Sequence, residues 1–265
     1  MRSVIRAELI RSFGTRLWIA LVAAAIACGL GLAGALVLIG PENADPPMPG
    51  LDTAEGPEVI LAIVRFTLFV PAVVGTFAIT SEYRHGTIGS TFLAAPRRGR
   101  VMVGKLLVHS LIGLGYGVVL AGGAGLALLG GAALRGTPLG APTGPLLVAL
   151  AQLAVAAAVH TLLGVAIGAL ARHQIVGVAI VLGYFYFVEP LLMVVPGLNQ
   201  VYGILPGGAS AALTRSTWLT DTIAEQLPGP AALALPAWAA GLLLVGYAAA
   251  AAAVAVALPL RRDLR

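Results

Sequence analysis

Six long runs of apolar residues constrain this chain more than any other feature of its sequence. They cover residues 17–39, 58–80, 106–134, 145–171, 175–195 and 231–258. Each run provides the about 20 residues that a helix needs to cross a lipid bilayer. Only 10% of the 265 residues are charged, whereas a soluble domain carries roughly 25%, so lipid must cover most of the surface. We predict an all-α integral membrane protein in which residues 1–265 form a single transmembrane domain with six transmembrane helices.

Charge alternates between the segments that connect these runs. One set of segments holds most of the acidic residues and only Arg135 and Arg215 as basic ones. The other set holds Arg2, Arg6, Arg11, Arg16, Arg84, Arg97, Arg98, Arg100, Lys105, Arg172, Arg261, Arg262 and Arg265. Positively charged flanks stay on the cytoplasmic side. We therefore predict cytoplasmic N- and C-termini, a cytoplasmic loop at 81–104, and an extracellular loop at 196–230 that has room for one or two short helices.

The cytoplasmic loop between the second and third runs mixes charged, hydroxyl and apolar side chains. Ile88, Phe92 and Leu93 have a spacing that would place them on one face of a short helix, and Pro96 would end that helix. An amphipathic helix of this kind either lies on lipid headgroups or docks into a groove on a soluble partner. The residues alone leave both interpretations open.

The same loop resembles the cytoplasmic loop of ABC-2-type permeases, the membrane subunits of many bacterial exporters. That family has a glutamate after the second span, then a Gly-Thr pair, a Pro-x-Arg, and a lysine that opens the third span. The matching residues here are Glu82, Gly86-Thr87, Pro96-Arg97-Arg98 and Lys105. The resemblance extends over the whole chain, because the six spans, the basic N-terminal segment and the long outer loop before the last span match as well.

The resemblance implies a permease subunit in the plasma (inner) membrane of a bacterium. It implies that two permease chains, identical or related, assemble with two copies of a soluble ABC ATPase that binds ATP and magnesium. A cytoplasmic coupling helix in the loop would contact the ATPase and transmit its closure to the spans. The residues expected at this contact are Glu82, Tyr83, Arg84, Gly86, Thr87, Pro96 and Arg98.

The first sixteen residues also have a helical pattern. Ile5, Leu9 and Phe13 recur on one face, and arginines near that face would reach lipid headgroups. The segment resembles the interfacial elbow helix of the same family, and a plain basic flank is the alternative. The run that follows, residues 17–39, exceeds the about 7–15 apolar residues of a signal-peptide core, so we predict a retained span.

Polar residues inside the spans are candidates for function, because an ionisable group is costly in lipid. Arg65 in the second run and Glu189 in the fifth lie at similar depth, which makes them candidates for an ion pair. Such a pair would either hold two helices in register or line a substrate path. His160 lies near the middle of the fourth run, where a histidine is more often a hydrogen-bonded packing residue than a proton relay.

Two small-residue motifs predict closely packed helices. Gly113 and Gly117 form one such motif and Gly164 and Gly168 the other, and this four-residue spacing lets two helices approach each other. In a chain with 34 glycines chance matches are expected, so neither motif by itself predicts a dimer interface.

No catalytic or metal-binding motif is recognisable in the sequence. Residues 99–105 nearly spell a phosphate-binding loop, but Leu106 stands where a Ser or Thr hydroxyl would hold magnesium. We therefore expect no cofactor in this chain and ATP hydrolysis by a separate subunit. The basic residues flank apolar runs, which indicates contact with lipid headgroups and not with nucleic acid.

The predicted function is ATP-driven export of an amphiphilic or hydrophobic substrate, such as a drug, an antibiotic, a peptide or a lipid. Few polar groups lie in the spans, which favours such a substrate. One alternative is an ion-coupled secondary transporter, for which acidic residues and broken helices near the midplane are typical and only Glu189-Pro190 is similar. The other is a membrane sensor or scaffold that does not transport.

Overall fold

A computed structural model describes residues 1–45, 47–95, 97–195, 198–216 and 233–257. Over these residues the secondary structure is helical, without β-strands. In chain order the helices are α1 (Arg2–Phe13), α2 (Leu17–Ile39), α3 (Gly56–Arg84), α4 (Ile88–Ala94), α5 (Arg98–Arg135), α6 (Thr143–Ala171), α7 (Gln174–Val194), α8 (Pro206–Leu213) and α9 (Ala237–Ala257). Short 3-10 helices lie between them at Pro41–Asn43 and Asn199–Ile204.

Six of the described helices, α2, α3, α5, α6, α7 and α9, are long and apolar enough to cross a membrane. This confirms the prediction of a multi-pass, all-α membrane protein. The helix α5 begins at Arg98, inside the segment predicted as a loop, because Arg, Met and Lys favour helix although Arg and Lys lower the hydropathy. The helix α9 begins at Ala237. Residues 196–197 and 217–230 of the predicted outer loop lie outside the described residues, as do residues 231–232 and 258–265.

The centre of the bundle consists of α3, α5 and α6, in which α6 packs extensively against both α3 and α5. Glycine permits this close approach at both small-residue motifs. A methyl group at Gly164 would overlap the backbone of Ala72 in α3, and one at Gly117 would overlap the backbone of Ala154 in α6. The predicted close packing is therefore confirmed, and both motifs are used between helices of the same chain.

The helices α2, α7 and α9 form the periphery, and at least seven-tenths of each apolar span is not buried in the protein. Large apolar side chains such as Ile175, Phe187 and Leu242 are more than half exposed. In water such a surface would be costly, whereas in a bilayer it is the surface that lipid covers.

The helical connections define two ends of the bundle. The N-terminal end contains α1, α4 and the turn between α6 and α7; the opposite end contains the segment after α2, the turn after α5, and α8. At the opposite end Arg135 donates a hydrogen bond of 3.1 Å to the carbonyl oxygen of Val37 and forms an ion pair with Glu42. These contacts hold the end of α2 against the end of α5.

Candidate functional site

Two groups of buried polar residues stand out, one at each end of the bundle. The first, at the N-terminal end, consists of Glu8, Arg11, Glu82 and Lys105 and is called the charge cluster below. The second lines an internal cavity near the opposite end, between α3, α6, α7 and α8, and is called the Arg65–Glu189 cavity.

Lys105 is the centre of the charge cluster and is completely buried. Its Nζ atom donates to Glu82 Oε1 at 2.5 Å, to Glu8 Oε1 at 3.0 Å and to the carbonyl oxygen of Ala78 at 3.1 Å. An ammonium group has three N–H donors, so all of its hydrogen-bonding capacity is used. Burial of a charge is tolerated when it is paired and hydrogen-bonded in this way.

Arg11 completes the charge cluster from the side of α1. Its Nη2 atom lies 2.5 Å from Glu8 Oε2 and 2.9 Å from the carbonyl oxygen of Ala78, and its Nη1 atom pairs with Glu82. Burial lowers the pKa of Arg11, and the neighbouring Glu8 carboxylate acts in the opposite direction. Two cations and two carboxylates thus balance within a largely buried site.

The charge cluster joins three helices that are distant in the sequence. Glu8 and Arg11 lie three residues apart on one face of α1, Ala78 and Glu82 lie one turn apart on α3, and Lys105 belongs to α5. Alongside it Val4 of α1 packs against Gly104, leaving no room for a side chain there. These contacts hold α1 against the ends of α3 and α5.

A tight turn leads from α3 into the short helix α4. Gly86 has a φ of +66°, a left-handed conformation that glycine adopts at little cost, and the N–H of Thr87 donates to the carbonyl oxygen of Glu82 at 2.9 Å. Phe92 of α4 is buried, whereas Leu93 is 82% exposed. The prediction that Leu93 shares a face with Phe92 is therefore wrong, because successive helical positions are turned by about 100°.

The residues predicted to contact an ATPase occupy different environments. Glu82 is buried inside the charge cluster, beneath the surface of the turn. Arg84 donates to Gln174 Oε1 of α7 at 3.0 Å, and the guanidinium of Arg98 lies 5.0 Å from the centre of the Phe92 ring. Tyr83 is half-buried, and Gly86 and Thr87 are exposed at the turn. Pro96 lies outside the described residues.

The Arg65–Glu189 cavity has a volume of about 190 Å³. It lies between the helical core and the segment that follows α7. Its main lining residues are Arg65, Phe66, Phe69, His160, Phe185, Tyr186, Glu189, Tyr202, Gly207 and Ser210. The cavity is therefore mostly apolar and aromatic, with a few polar groups, as is typical of small-molecule sites.

Arg65 and Glu189 share this cavity but form no ion pair within the described part of the chain. Arg65 Nη1 donates a long hydrogen bond, of 3.5 Å, to the carbonyl oxygen of Gly207, and Glu189 Oε2 lies directly against the Cα of Gly207. The start of α8 thus separates the two charges. The predicted ion pair between Arg65 and Glu189 is therefore absent from the fold.

Three side-chain atoms around the cavity are buried without a hydrogen-bond partner among the described residues. They are Arg65 Nε, Glu189 Oε1 and Ser210 Oγ. The three residues are 9%, 2% and 1% exposed. Buried polar atoms are paired in the great majority of cases, so the convergence of these three on one cavity is unusual.

His160 is satisfied by its own helix. Its Nδ1 atom lies 2.8 Å from the carbonyl oxygen of Ala156, and its ring lies 5.5 Å from the ring of Phe185. This arrangement matches the expectation of a packing histidine, and it places the ring on the wall of the cavity.

An irregularity in α7 forms the aromatic wall. Residues Tyr184–Val188 form a π-helical segment just before Glu189 and Pro190, and such segments are frequent at functional sites. Tyr186 packs edge-on against Phe69, with ring centres 5.7 Å apart. The extra residue per turn changes the direction in which Tyr186 and Phe185 project from the helix.

Sequence analysis did not identify several members of these sites. Tyr202, Gly207 and Ser210 lie in the predicted outer loop, where α8 folds into the protein and not at its surface. The signal for α8 is the run of small residues from Pro206 to Leu213, which is apolar enough to be buried. The signal for Glu8 is that it is the one acidic residue in a basic N-terminal helix.

No protein-family model matches the chain, and no curated protein matches its sequence. Within the described ranges, no three His, Cys, Asp or Glu side chains are grouped as a metal site would require. The charge cluster joins α1 to α3 and α5, and the lining of the Arg65–Glu189 cavity includes one basic and one acidic side chain.

Proposed function

We propose that this chain is the membrane-spanning permease subunit of an ATP-driven ABC exporter of the ABC-2 type. In this proposal the chain lies in the plasma membrane of a bacterium with both termini in the cytoplasm. The charge cluster is the observation that carries the proposal, because it ties α1 to α3 and α5 at the N-terminal end of the bundle.

Rigidity at this end matters for a protein driven by a separate motor. A displacement of α4 by the motor must be transmitted to the spans and must not be lost in a flexible connection. Phe92 of α4 belongs to a buried apolar cluster that includes Ile79 of α3 and Met102 of α5, so α4 is anchored to two spans. The charge cluster ties the same two spans to α1, and breaking such a buried pair costs about 3–5 kcal/mol.

The exposed side of α4 supplies the contact surface in this proposal. Leu93 is 82% exposed, and Arg97 and Arg100, which follow α4 in the chain, are exposed as well. A helix that presents an apolar side chain with basic neighbours suits a groove with an apolar floor and an acidic rim. Such a groove would belong to the ATPase, which would bind ATP and magnesium in two copies per pair of permeases.

In the proposed mechanism, the ATPase drives a conformational change that moves the access of the substrate site from one side of the membrane to the other. The substrate binds the inward-facing state, and closure of the two ATPases favours the outward-facing one, so each ligand acts through its differential affinity for the two states. The closely packed α3–α6 pair would move as a unit with α4. The cargo proposed is amphiphilic or hydrophobic.

Ion-coupled secondary transport is a second candidate, which one observation favours. Glu189 is buried beside the π-helical segment of α7 and is followed by Pro190. A buried acid at an irregular helix is typical of proton- or sodium-coupled transporters. In that case transport would follow an ion gradient and need no ATPase.

Copurification with candidate ABC ATPases distinguishes these proposals. The chain is purified in detergent with each candidate, and ATPase retention and ATP turnover are measured for the wild type and for Leu93→Asp. Leu134→Asp is the matched control, since Leu134 is 80% exposed and lies at the opposite end of the bundle. We expect Leu93→Asp to lose the ATPase and Leu134→Asp to retain it.

Two results would contradict the exporter proposal. One is that Leu93→Asp binds an ATPase as well as the wild type does. The other is that no candidate binds the wild-type chain while purified chain in liposomes moves substrate in response to a proton or sodium gradient, which would establish the second candidate.

A further inference from the structure

The Arg65–Glu189 cavity combines features that a purely structural cavity does not need. Three buried polar atoms without partners among the described residues converge on it, namely Arg65 Nε, Glu189 Oε1 and Ser210 Oγ. Packing alone would favour apolar side chains here, because an unpaired buried polar group destabilises a fold. The simplest reason for all three is a bound molecule that completes their hydrogen bonds.

The charges of Arg65 and Glu189 indicate which chemical groups that molecule has. Arg65 Nε is a donor and needs an acceptor, and arginine pairs best with phosphate or carboxylate. Glu189 Oε1 is an acceptor and needs a donor, for which an ammonium N–H is the strongest choice. Gly207 lies between the two side chains, and both residues line the cavity, so a ligand that carries both groups complements the two residues.

The size of the cavity limits how much of the molecule it encloses. Its volume of about 190 Å³ lies below the roughly 300–1,000 Å³ of sites that enclose a drug-sized ligand. Phe66 and Phe69 line it and are 39% and 38% exposed on the outside of the bundle, where lipid would cover the protein. A small polar headgroup therefore fits inside while an acyl chain leaves past these rings.

We propose that the Arg65–Glu189 cavity binds the zwitterionic headgroup of an amphiphile, with its phosphate or carboxylate at Arg65 and its primary ammonium at Glu189. The aromatic walls add favourable contact with the ammonium, since Phe and Tyr rings attract cations. Binding requires no ATPase. Only the further statement that this amphiphile is the exported cargo rests on the proposed function.

Wild-type selectivity tests the proposal without any substitution. Binding of three lysolipids with the same acyl chain is measured by native mass spectrometry of the chain in maltoside detergent. Lysophosphatidylethanolamine has both groups, lysophosphatidylcholine lacks the N–H donors, and lysophosphatidylglycerol lacks the cation. We expect the ethanolamine lipid to bind about tenfold to a hundredfold more tightly, the range for one charge-assisted hydrogen bond. Equal affinity for all three would overturn the proposal.

Charge substitutions assign the two groups to the two residues. Glu189→Gln is expected to abolish the preference for ethanolamine over choline while phosphate binding persists, and Arg65→Gln is expected to weaken all three lipids. Arg135→Gln is the matched control, because Arg135 lies at the same end of the bundle, outside the cavity, and pairs with Glu42. If Arg135→Gln reduces the affinities as much as Arg65→Gln does, the cavity is not the site.

Ser210→Ala provides a mild variant in case the buried charge variants do not fold. It removes a hydroxyl that has no partner in the described residues, so the fold should persist, and weaker ethanolamine binding would support the site. Unchanged binding by Ser210→Ala together with unselective binding by the wild type would reject it.

Free phosphoethanolamine identifies the source of the headgroup. Its competition with the lysolipid would show that the headgroup alone is sufficient, whereas binding of the lysolipid only would show that the acyl chain is needed. Either result is consistent with the zwitterion site. Because these measurements contain no ATPase, a failed ATPase copurification would leave them unaffected, and the two proposals can fail separately.

Discussion

Replacing Lys105 tests the charge cluster most directly. Lys105→Met replaces the apolar part of the side chain by one of similar length and removes the ammonium, which leaves Glu8 and Glu82 buried with Arg11 as their remaining cation. The wild-type ammonium makes three buried contacts of 2.5, 3.0 and 3.1 Å. Removal of one partner of a buried pair costs about 3–5 kcal/mol, so we expect a large loss of stability.

The loss should be visible as a lower midpoint of thermal unfolding. At roughly 2–4 °C per kcal/mol for a domain of this size, the midpoint should fall by about 10 °C. The assay is retention of a monodisperse peak in maltoside detergent after heating. Arg135→Met serves as the control, because its pair with Glu42 is partly exposed and such pairs contribute only about 0–1 kcal/mol.

A double variant separates the electrostatic cause from a loss of packing. Glu82→Gln combined with Lys105→Met removes one charge of each sign, so the cluster is again neutral with Glu8 and Arg11. We expect this double variant to be more stable than Lys105→Met alone. A double variant that is as unstable as the sum of the two single ones would refute the account, as would a Lys105→Met protein that unfolds at the wild-type temperature.

Two further predictions concern packing and pH. Gly164→Ala should destabilise the protein by about 1–3 kcal/mol, because the methyl group would overlap the backbone of Ala72. Gly115→Ala is the control and should not destabilise it, because Gly115 has open space around it. Equal midpoints of thermal unfolding for the two variants would contradict this prediction. The hydrogen bond from Arg135 lowers the pKa of Glu42 below its ordinary 4.5, so the stabilisation from Glu42 is complete above pH 4.5 and disappears as the pH falls through the lowered pKa. The difference in free energy of unfolding between the wild type and Glu42→Gln should accordingly be present at pH 7 and shrink below pH 4.5. A difference that grows on acidification would contradict the assigned direction of the pKa shift.

Sequence analysis identified the membrane helices because lipid imposes a local requirement. A span must be apolar over about 20 residues and must pair its backbone groups within itself, and both conditions are visible in a window of the sequence. The helices α2 and α6 therefore lie close to the predicted runs. Helix ends were less predictable, as in α5, whose first turns are helical but polar.

The same local reasoning identified Arg65 and Glu189 as unusual residues but could not assign their partners, and Glu82 was named only because the loop resembles that of ABC-2-type permeases. Lys105 meets Glu8 across 97 positions, and Arg65 meets Gly207 across 142. Neither contact leaves a periodic pattern in the sequence. Hydropathy also grouped α8 with the outer loop, since its small residues do not resemble a span.

What the sequence determined by itself is the number and type of the membrane helices, because their free energy of insertion depends mainly on the residues of each helix. Tertiary structure alone decided that Gly207 lies between Arg65 and Glu189, so that two expected partners became opposite sides of a cavity. The physical reason is that lipid is as apolar as the helices, so the contacts between helices depend on close packing at residues such as Gly164 and on buried polar pairs. Those contacts join distant parts of the chain and depend on how the helix surfaces fit together. No local pattern in the sequence indicates that fit.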